Sequence, residues 1–508
     1  MNNRTTKAVG GPNCVWSGMN SGWISTQSGF FRDFKEIAKR ADIIMLDHQS
    51  RNDATGFQNI ADAGKLIHGL LGWDKLIPNS MAMYQAGRPT FRISTKPVQE
   101  AHMWMIEAFA GGIQPWWHHI AAYHEDRRMY HTAEPIFKWH KANEEYLINR
   151  EPIGTVGVVW SQGNHDFYGR NDTENKVNLP WRGIVEALIR ARIPYLPVNA
   201  DHIDRDASRF KTLVLPNVGS MTKEQIASVK RFVENGGSLF ATGESSLYDE
   251  FGEPLKDFAL GDLFKAHLKN DRLKVSNKTL HTYLRLTLKF GRIFMDRRRV
   301  RSGITGERHA ILKGFEQTDI LPFGGELWPL QVDANADVLM TFIPEFPIYP
   351  PETAWMREPK TDIPGLILNT LSNGSRIVYM PADIDRQFAR YNLPDHGNLL
   401  SNIIKWTLKD ELPIVVSGPG LIDCSLYKQP GRMILHLVNL TSAATWRAPL
   451  EEYIPVGPIK IKIKLEDHIQ GEYPTLLVSG QRIIADVEKG WSTFQITSIA
   501  NHEVVVLT

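Results

Sequence analysis

The stretch "ADIIMLDHQ", residues 41–49, decides how the first third of the chain is read. Ile43, Ile44, Met45 and Leu46 form a compact apolar run that ends in Asp47 and His48. A run this compact, ending in polar residues, is the best strand signal of the region. Upstream lie a second short run, "NCVWSGM" (13–19), and a helical spacing of Phe30, Phe34, Ile37 and Ala38. Downstream come a helix across "GFQNIADAGKLIHGLLGW" (56–73) and the extended "LIPNSMAMY" (76–84). A helix over "VQEAHMWMIEAFA" (98–110), the strand "GGIQPWW" (111–117) and the amphipathic "AEPIFKWHKANEEYLINR" (133–150) follow. Strands alternating with helices imply βαβ units. Four such units make half of an eight-stranded (β/α)8 barrel.

Two further blocks follow. From 151 the pattern begins afresh with the strand "TVGVVWS" (155–161), the helix "GIVEALIRARI" (183–193) and the strand "FKTLVLPN" (210–217). The helix "TKEQIASVKRFVEN" (222–235) opens on a capping Thr and stops at Gly236-Gly237, ahead of the strand "SLFATG" (238–243). After a long excursion at about 270–365, "SRIVYMPADID" (375–385) and "GNLLSNIIKWTL" (397–408) read as the completion of this layer. From 409 onward "RMILHLVNLT", "KIKIKL" and "HEVVVLT" alternate with turn residues, the signature of a small β-sandwich. The expected division is therefore 1–150, 151–408 and 409–508.

With 508 residues, 42% hydrophobic and 22% charged, the composition is that of a globular protein of two to four domains. A formal charge of +2 gives no reason to expect nucleic acid. The basic run "DRRRVR" (296–301) has no interleaved aromatics and reads as a solvated turn. No apolar run approaches the ~20 residues of a membrane span, and the first residues carry no secretion signal. A cytoplasmic protein is the expectation. Cys14 and Cys424 are too few for a disulfide framework.

In α/β barrels the residues at the carboxyl ends of the strands face the active-site mouth. That rule selects Trp16, Asn20 and Trp23 after the first strand and Asp47, His48 and Arg51 after the second. It selects Tyr84, Gln85 and Arg88 after the third, and Trp116, Trp117, His118 and His119 after the fourth, with Glu125, Asp126 and Arg127 beyond. Indole faces stack on sugar C–H surfaces while His, Asp and Arg pair with hydroxyls, so a saccharide fits this set. Neighbours along a strand point to opposite faces, so only some of the four in Trp116–His119 can meet one ligand. Asp47 either serves as a general acid, which needs a second carboxylate roughly 5–9 Å away, or is paired with His48 or Arg51. Glu125 and Asp126 are expected to pair with Arg127 and Arg128. No metal or other cofactor is implied; a site on His48, His118 and His119 lacks a metal-binding motif. The second block resembles a glutaminase layout, but Glu244-Ser245-Ser246 stands where that chemistry needs a nucleophilic Cys.

Taken together, "ADIIMLDHQSR", "GKLIHGLLGWDKLIPNSMAMYQAGRPTFR", "FAGGIQPWWHHI", "EDRR", "KRFVENGGSLFATGESSLYDEFG" and "SRIVYMPADIDRQFARYN" resemble a bacterial group of glycoside hydrolase-like proteins. Its members carry a β-galactosidase trimerisation-like domain and are distantly similar to the β-galactosidases of family forty-two. The resemblance implies a barrel of which strands five to eight are present, then a domain like the class I glutamine amidotransferases (glutaminase-like, flavodoxin-like), then a β-sandwich. It implies a chain that starts late relative to its kin. It also implies O-glycosyl hydrolysis by a galactosidase- or fucosidase-like enzyme and a homo-oligomer, up to a trimer. The catalytic Glu pair of the β-galactosidases has no counterpart here. Barrels similar to α-galactosidases place an acid/base Asp after strand six, where Asp47 stands. On that reading Asp47 is catalytic, while His48, Arg51, Tyr84, Trp116, Trp117, His118 and His119 bind substrate. The alternative is a non-catalytic carbohydrate-binding or assembly protein.

Overall fold

Nine strands of one mixed sheet and four of a parallel sheet carry the two parts of the molecule that hold its polar clusters. The computed structural model describes residues 2–21, 36–37, 39–51, 56–85, 90–119, 125–269, 273–274, 281–287, 308–442 and 449–508. The run at 296–301 and most of the helical pattern expected at 30–38 lie outside them. The chain divides into two compact units. Unit 1 comprises Met1–Gly154, Arg192–Pro197 and Pro413–Thr508; unit 2 comprises Thr155–Ala191 and Val198–Leu412.

Unit 1 begins with helix α1 (Asn2–Gly10). Its sequence has no apolar period to betray it, but Lys7 Nζ reaches Asp42 at 2.8 Å and Asn3 donates to the Arg40 carbonyl. Strands β1 (Ser17–Ser21) and β2 (Ile43–Asp47) pair in parallel. Helix α2 (Gln58–Leu71) leads to β3 (Pro78–Ala82). A small antiparallel pair, β4 (Tyr84–Gln85) and β5 (Phe91–Thr95), precedes helix α3 (Val98–Ala110). Then come β6 (Gln114–His118) and helix α4 (Arg128–Ala142), which starts five residues before the expected helix and contains Pro135. The sheet order is β1-β2-β3-β6, so consecutive βα units lie side by side and all pairs are parallel. Gly64 of α2 and Gly111 after α3 let the two helices touch, because a Cβ at either would press on the other's backbone.

In the same unit, β7 (Glu151–Ile153) is an edge strand of the carboxyl-terminal sheets.

Unit 2 starts with β8 (Val156–Trp160) and helix α5 (Leu179–Arg190). Strand β9 (Tyr195–Asn199), which belongs to unit 2 only from Val198, and β10 (Thr212–Leu215) follow. Helix α6 (Lys223–Glu234) carries the expected Thr cap, here half of a capping box: Thr222 Oγ1 accepts the Gln225 amide and Gln225 Oε1 accepts the Thr222 amide. Beyond β11 (Ser238–Thr242), the excursion adds β12 (Thr282–Leu286), β13 (Ile320–Phe323), β14 (Asp337–Ile343) and β15 (Pro364–Thr370). It returns through β16 (Arg376–Met380), helix α7 (Ile384–Tyr391) and helix α8 (Pro394–Thr407). The order β13-β12-β14-β15-β16-β11-β10-β8-β9 shows that the excursion extends the sheet. β8, β10, β11 and β16 are parallel neighbours, whereas the excursion's strands pair antiparallel.

The carboxyl-terminal segment of unit 1 forms two antiparallel sheets. One is β17 (Ile414–Ser417), β20 (Ile459–Lys464), β23 (Trp491–Ile496) and β22 (Asp486–Glu488), in the order β17-β20-β23-β22. The other runs β21-β24-β19-β18-β7, with β18 (Ile422–Gln429), β19 (Arg432–Asn439), β21 (Thr475–Leu476) and β24 (His502–Leu507). In β20 the alternation is strict: Ile459, Ile461 and Ile463 join the core and Lys460, Lys462 and Lys464 are exposed. Cys14 and Cys424 are free thiols. Among the described residues no helix is long and apolar enough to cross a membrane.

Candidate functional site

The period of two sorts the residues at the carboxyl end of the parallel sheet. Ile44 and Leu46 are fully buried, and the register sets Leu46 beside Asn79 and Met81 beside Trp117. These residues share the helix-covered face. Asp47, Ser80, Ala82, Trp116 and His118 alternate with them and share the other face, with Ser80 opposite Trp116 and Ala82 opposite His118.

On that open face Asp47 is the centre. Its Oδ1 accepts from Gln49 Nε2 at 2.6 Å and from Ser80 Oγ at 2.9 Å. The same Gln49 amide lies 3.1 Å from His118 Nδ1, and Asp47 Oδ1 is 3.8 Å from that nitrogen. If the amide donates to Nδ1, the imidazole proton is on Nε2. Burial lowers the His118 pKa; Asp47 works against that and Arg92 with it. The Trp116 ring is 5.5 Å from the His118 ring and the Tyr84 ring 5.9 Å from it, edge-on. Burial raises the Tyr84 phenol, and the Arg92 guanidinium 5.3 Å from the ring centroid opposes this. A carboxylate, an imidazole, an indole and a phenol thus adjoin on one half-buried surface. Gln49 and Ser80 escaped the sequence reading: alternation along one strand already puts Gln49 on the Asp47 face, whereas Ser80 joins it only through the register of β2 with β3.

The other candidates lie apart from this cluster. His48 is partly buried on the helix face, its ring 4.8 Å from Trp104, and desolvation there pushes it down to about 4. Its main chain is pinned by Asn79, which accepts from its amide and donates to its carbonyl, and by Trp104 Nε1 at 2.8 Å. Trp117 and His119 turn towards Tyr130 of α4, with ring centroids 5.4 and 5.6 Å away. Arg51 does not pair with Asp47. It makes a buried two-pronged ion pair with Glu100 of α3, both bonds 3.0 Å, while Glu100 also accepts the Leu450 amide. Asp126 accepts from Arg128 and from the Thr95 amide, a structural tie. Trp16 precedes β1, because the strand starts four residues later than the apolar run, so it is not at the carboxyl end; its amide donates to Asp42. Trp23 and Arg88 lie outside the described residues.

A cavity of about 460 Å³ in the same unit is lined by Arg51, Gln85, Thr95, Lys96, Glu100 and Arg128, among others. Burial pushes Lys96 down to about 8, against the pull of Glu100. Asp47 is not among its walls. Among the described residues no group of three His, Cys, Asp or Glu is placed to hold a metal ion.

No protein-family model matches the sequence, and no curated protein does. Solved structures do match. α-L-Fucosidase isoenzyme 2 from Paenibacillus thiaminolyticus superposes with a TM-score of 0.68 at 14% identity, over 93% of this chain and 66% of that one. The β-galactosidase from Bacillus circulans sp. alkalophilus gives 0.66 at 15%, over 98% and 64%. A GH42 β-galactosidase from G. stearothermophilus gives 0.63 at 15%, over 94% and 61%. This chain therefore spans about two thirds of the length of these proteins. At such identities the likeness concerns the fold: a mixed α/β chain with a distant glycoside hydrolase-like architecture.

Proposed function

We propose that the chain is part of a glycoside hydrolase acting on galactosides or fucosides. In this reading β1, β2, β3 and β6 are strands five to eight of a (β/α)8 barrel. Unit 2 is then the trimerisation-like domain of a homo-oligomer, and the final sheets form the β-sandwich. Asp47 is the general acid/base, and Trp116, His118 and Tyr84 form the saccharide surface. One observation carries the proposal: Asp47 sits at the carboxyl end of its strand, on the same face as Trp116 and His118, steadied by Gln49 and Ser80. His48, Trp117, His119 and Arg51 support this surface from behind or beside it.

The test is hydrolysis of aryl galactosides and fucosides by the wild-type protein and Asp47→Asn. Loss of the general acid should lower kcat/KM by roughly 10²–10⁴-fold, and least for the best leaving groups, which need little protonation. Near-normal turnover in the variant would refute the role. A second reading, saccharide binding without hydrolysis, is favoured by the groups that touch Asp47 (Gln49, Ser80 and His118), none of which is a carboxylate. Calorimetric binding of galactose with no turnover would select it.

A further inference from the structure

Unit 2 holds a second polar cavity that the glycosidase reading does not use. Its volume is about 190 Å³, smaller than the roughly 300–1,000 Å³ of drug-sized sites. It lies over the carboxyl ends of the parallel strands, where open α/β sheets bind ligands. Tyr168 and Lys176 come from the segment after β8, Asn217 follows β10, Glu244 follows β11, and Asp383 and Arg386 follow β16. The excursion contributes Glu326 and Trp328.

The walls are built to hold position. Glu244 accepts from Tyr168 Oη at 2.6 Å, Trp328 Nε1 at 3.0 Å and Tyr248 Oη at 3.1 Å. Asn217, in the left-handed region at φ 49°, accepts the Glu244 amide at 2.7 Å and donates to Tyr168 Oη. Gly243 and Gly325 permit this closeness, since a Cβ at either would collide with Asn217 or Asp383.

The charge is unbalanced. Asp172, Glu244, Glu326 and Asp383 line the cavity with Lys176 and Arg386 as its cations; Asp172 is held by Asn175 Nδ2 and Asp383 by Arg386 and the Glu326 amide. Both cations are engaged: Arg386 pairs with Asp383, and Lys176 donates to the Tyr168 carbonyl and lies 4.5 Å from the Tyr168 ring centroid. An anion entering here would meet carboxylates. A cation would meet them with the indole of Trp328 and the phenol of Tyr168 alongside. We infer that this cavity is a binding site for a small organic cation, a protonated amine. The inference is independent of the reading of Asp47.

Glucosamine, glucose and glucuronate share one ring and differ in charge, so titration calorimetry of the full chain against all three, at about pH 6.5 where the amine is protonated, isolates that property. Glucosamine should bind at least about tenfold more tightly than glucose, and glucuronate most weakly. Glu326→Gln and Asp172→Asn should each weaken glucosamine several-fold, up to about tenfold, with the melting temperature reporting that the fold is kept. Asp47→Asn and Trp116→Ala in unit 1 should leave glucosamine binding unchanged. Equal affinity for the three sugars would overturn the inference. So would tightest binding of glucuronate, no binding of glucosamine, or its loss in the unit 1 variants.

Discussion

Two tryptophans adjacent in sequence, Trp116 and Trp117, have opposite tasks. Trp116 adjoins His118 on the face of Asp47, while Trp117 is packed against His119 and Tyr130. Trp116→Ala should therefore lower galactose affinity, measured by calorimetry, by about tenfold or more with little change in melting temperature. Trp117→Ala removes a large ring from a packed contact and should cost roughly 3–5 kcal/mol in denaturant unfolding, an upper range because the ring is only partly buried. His48 and His118 make the same contrast. One ring packs edge-on against Trp104, and the other shares Gln49 with the carboxylate.

Between elements, contact depends on positions where no side chain can fit. In unit 2, α5 crosses α7 at Gly183, where a Cβ would run into the Asp385 carbonyl. Asp385 is itself buried and accepts from Thr242 Oγ1 at 2.5 Å, so the backbone there has little room to retreat. Gly183→Ala should destabilise by about 1–3 kcal/mol, read as a lower urea midpoint. The capping box of α6 predicts a smaller effect: Thr222→Ala should cost ~1 kcal/mol.

At the scale of the whole molecule, buried charge governs stability. Within unit 1, Lys65 of α2, Asp62, Glu107 of α3 and Asp423 of β18 are all buried. Burial would lower the Lys65 ammonium, yet Asp423, Tyr427, Asp62 and Glu107 leave it raised, while burial and Asp423 hold Glu107 well above the usual carboxylate range. Lys65→Met leaves those acids without their cation and should cost roughly 3–5 kcal/mol, read as a lower urea midpoint. The histidines set the acid limb. Burial pushes His48 and His68 down to about 4 and His502 to about 3. Their unfolded forms take up protons near pH 6.5. Stability is therefore intact above that value and falls as the pH drops towards 4, by up to about 3 kcal/mol for each of the first two. Glu107 and Asp385, raised by burial, act in the opposite direction. His48→Phe should remove its own share: the difference in unfolding free energy between pH 7.5 and 4.5 should shrink relative to wild type, whatever the variant does at neutral pH.

Local patterns were enough to find most elements. The apolar run of β2, the lysine–isoleucine alternation of β20 and the Thr222 cap each state their structure within a few residues, because periodicity and capping are short-range chemistry. Helix α1 and the β1 boundary were not legible, since Asn2–Gly10 has no apolar period and the residues before Ser17 mimic a strand. The candidate site was half legible. Alternation already said that Trp116 and Trp117 part company, but which of them joins Asp47 depends on the pairing of β3 with β6. The partner of Arg51 is Glu100, 49 residues away, and the cavity of unit 2 closes only when Trp328 comes back from the excursion to Glu244 and Glu326 to Asp383. Such meetings are decided by register between distant strands and by packing that buries charge only in pairs, and neither is written in any one stretch of the chain.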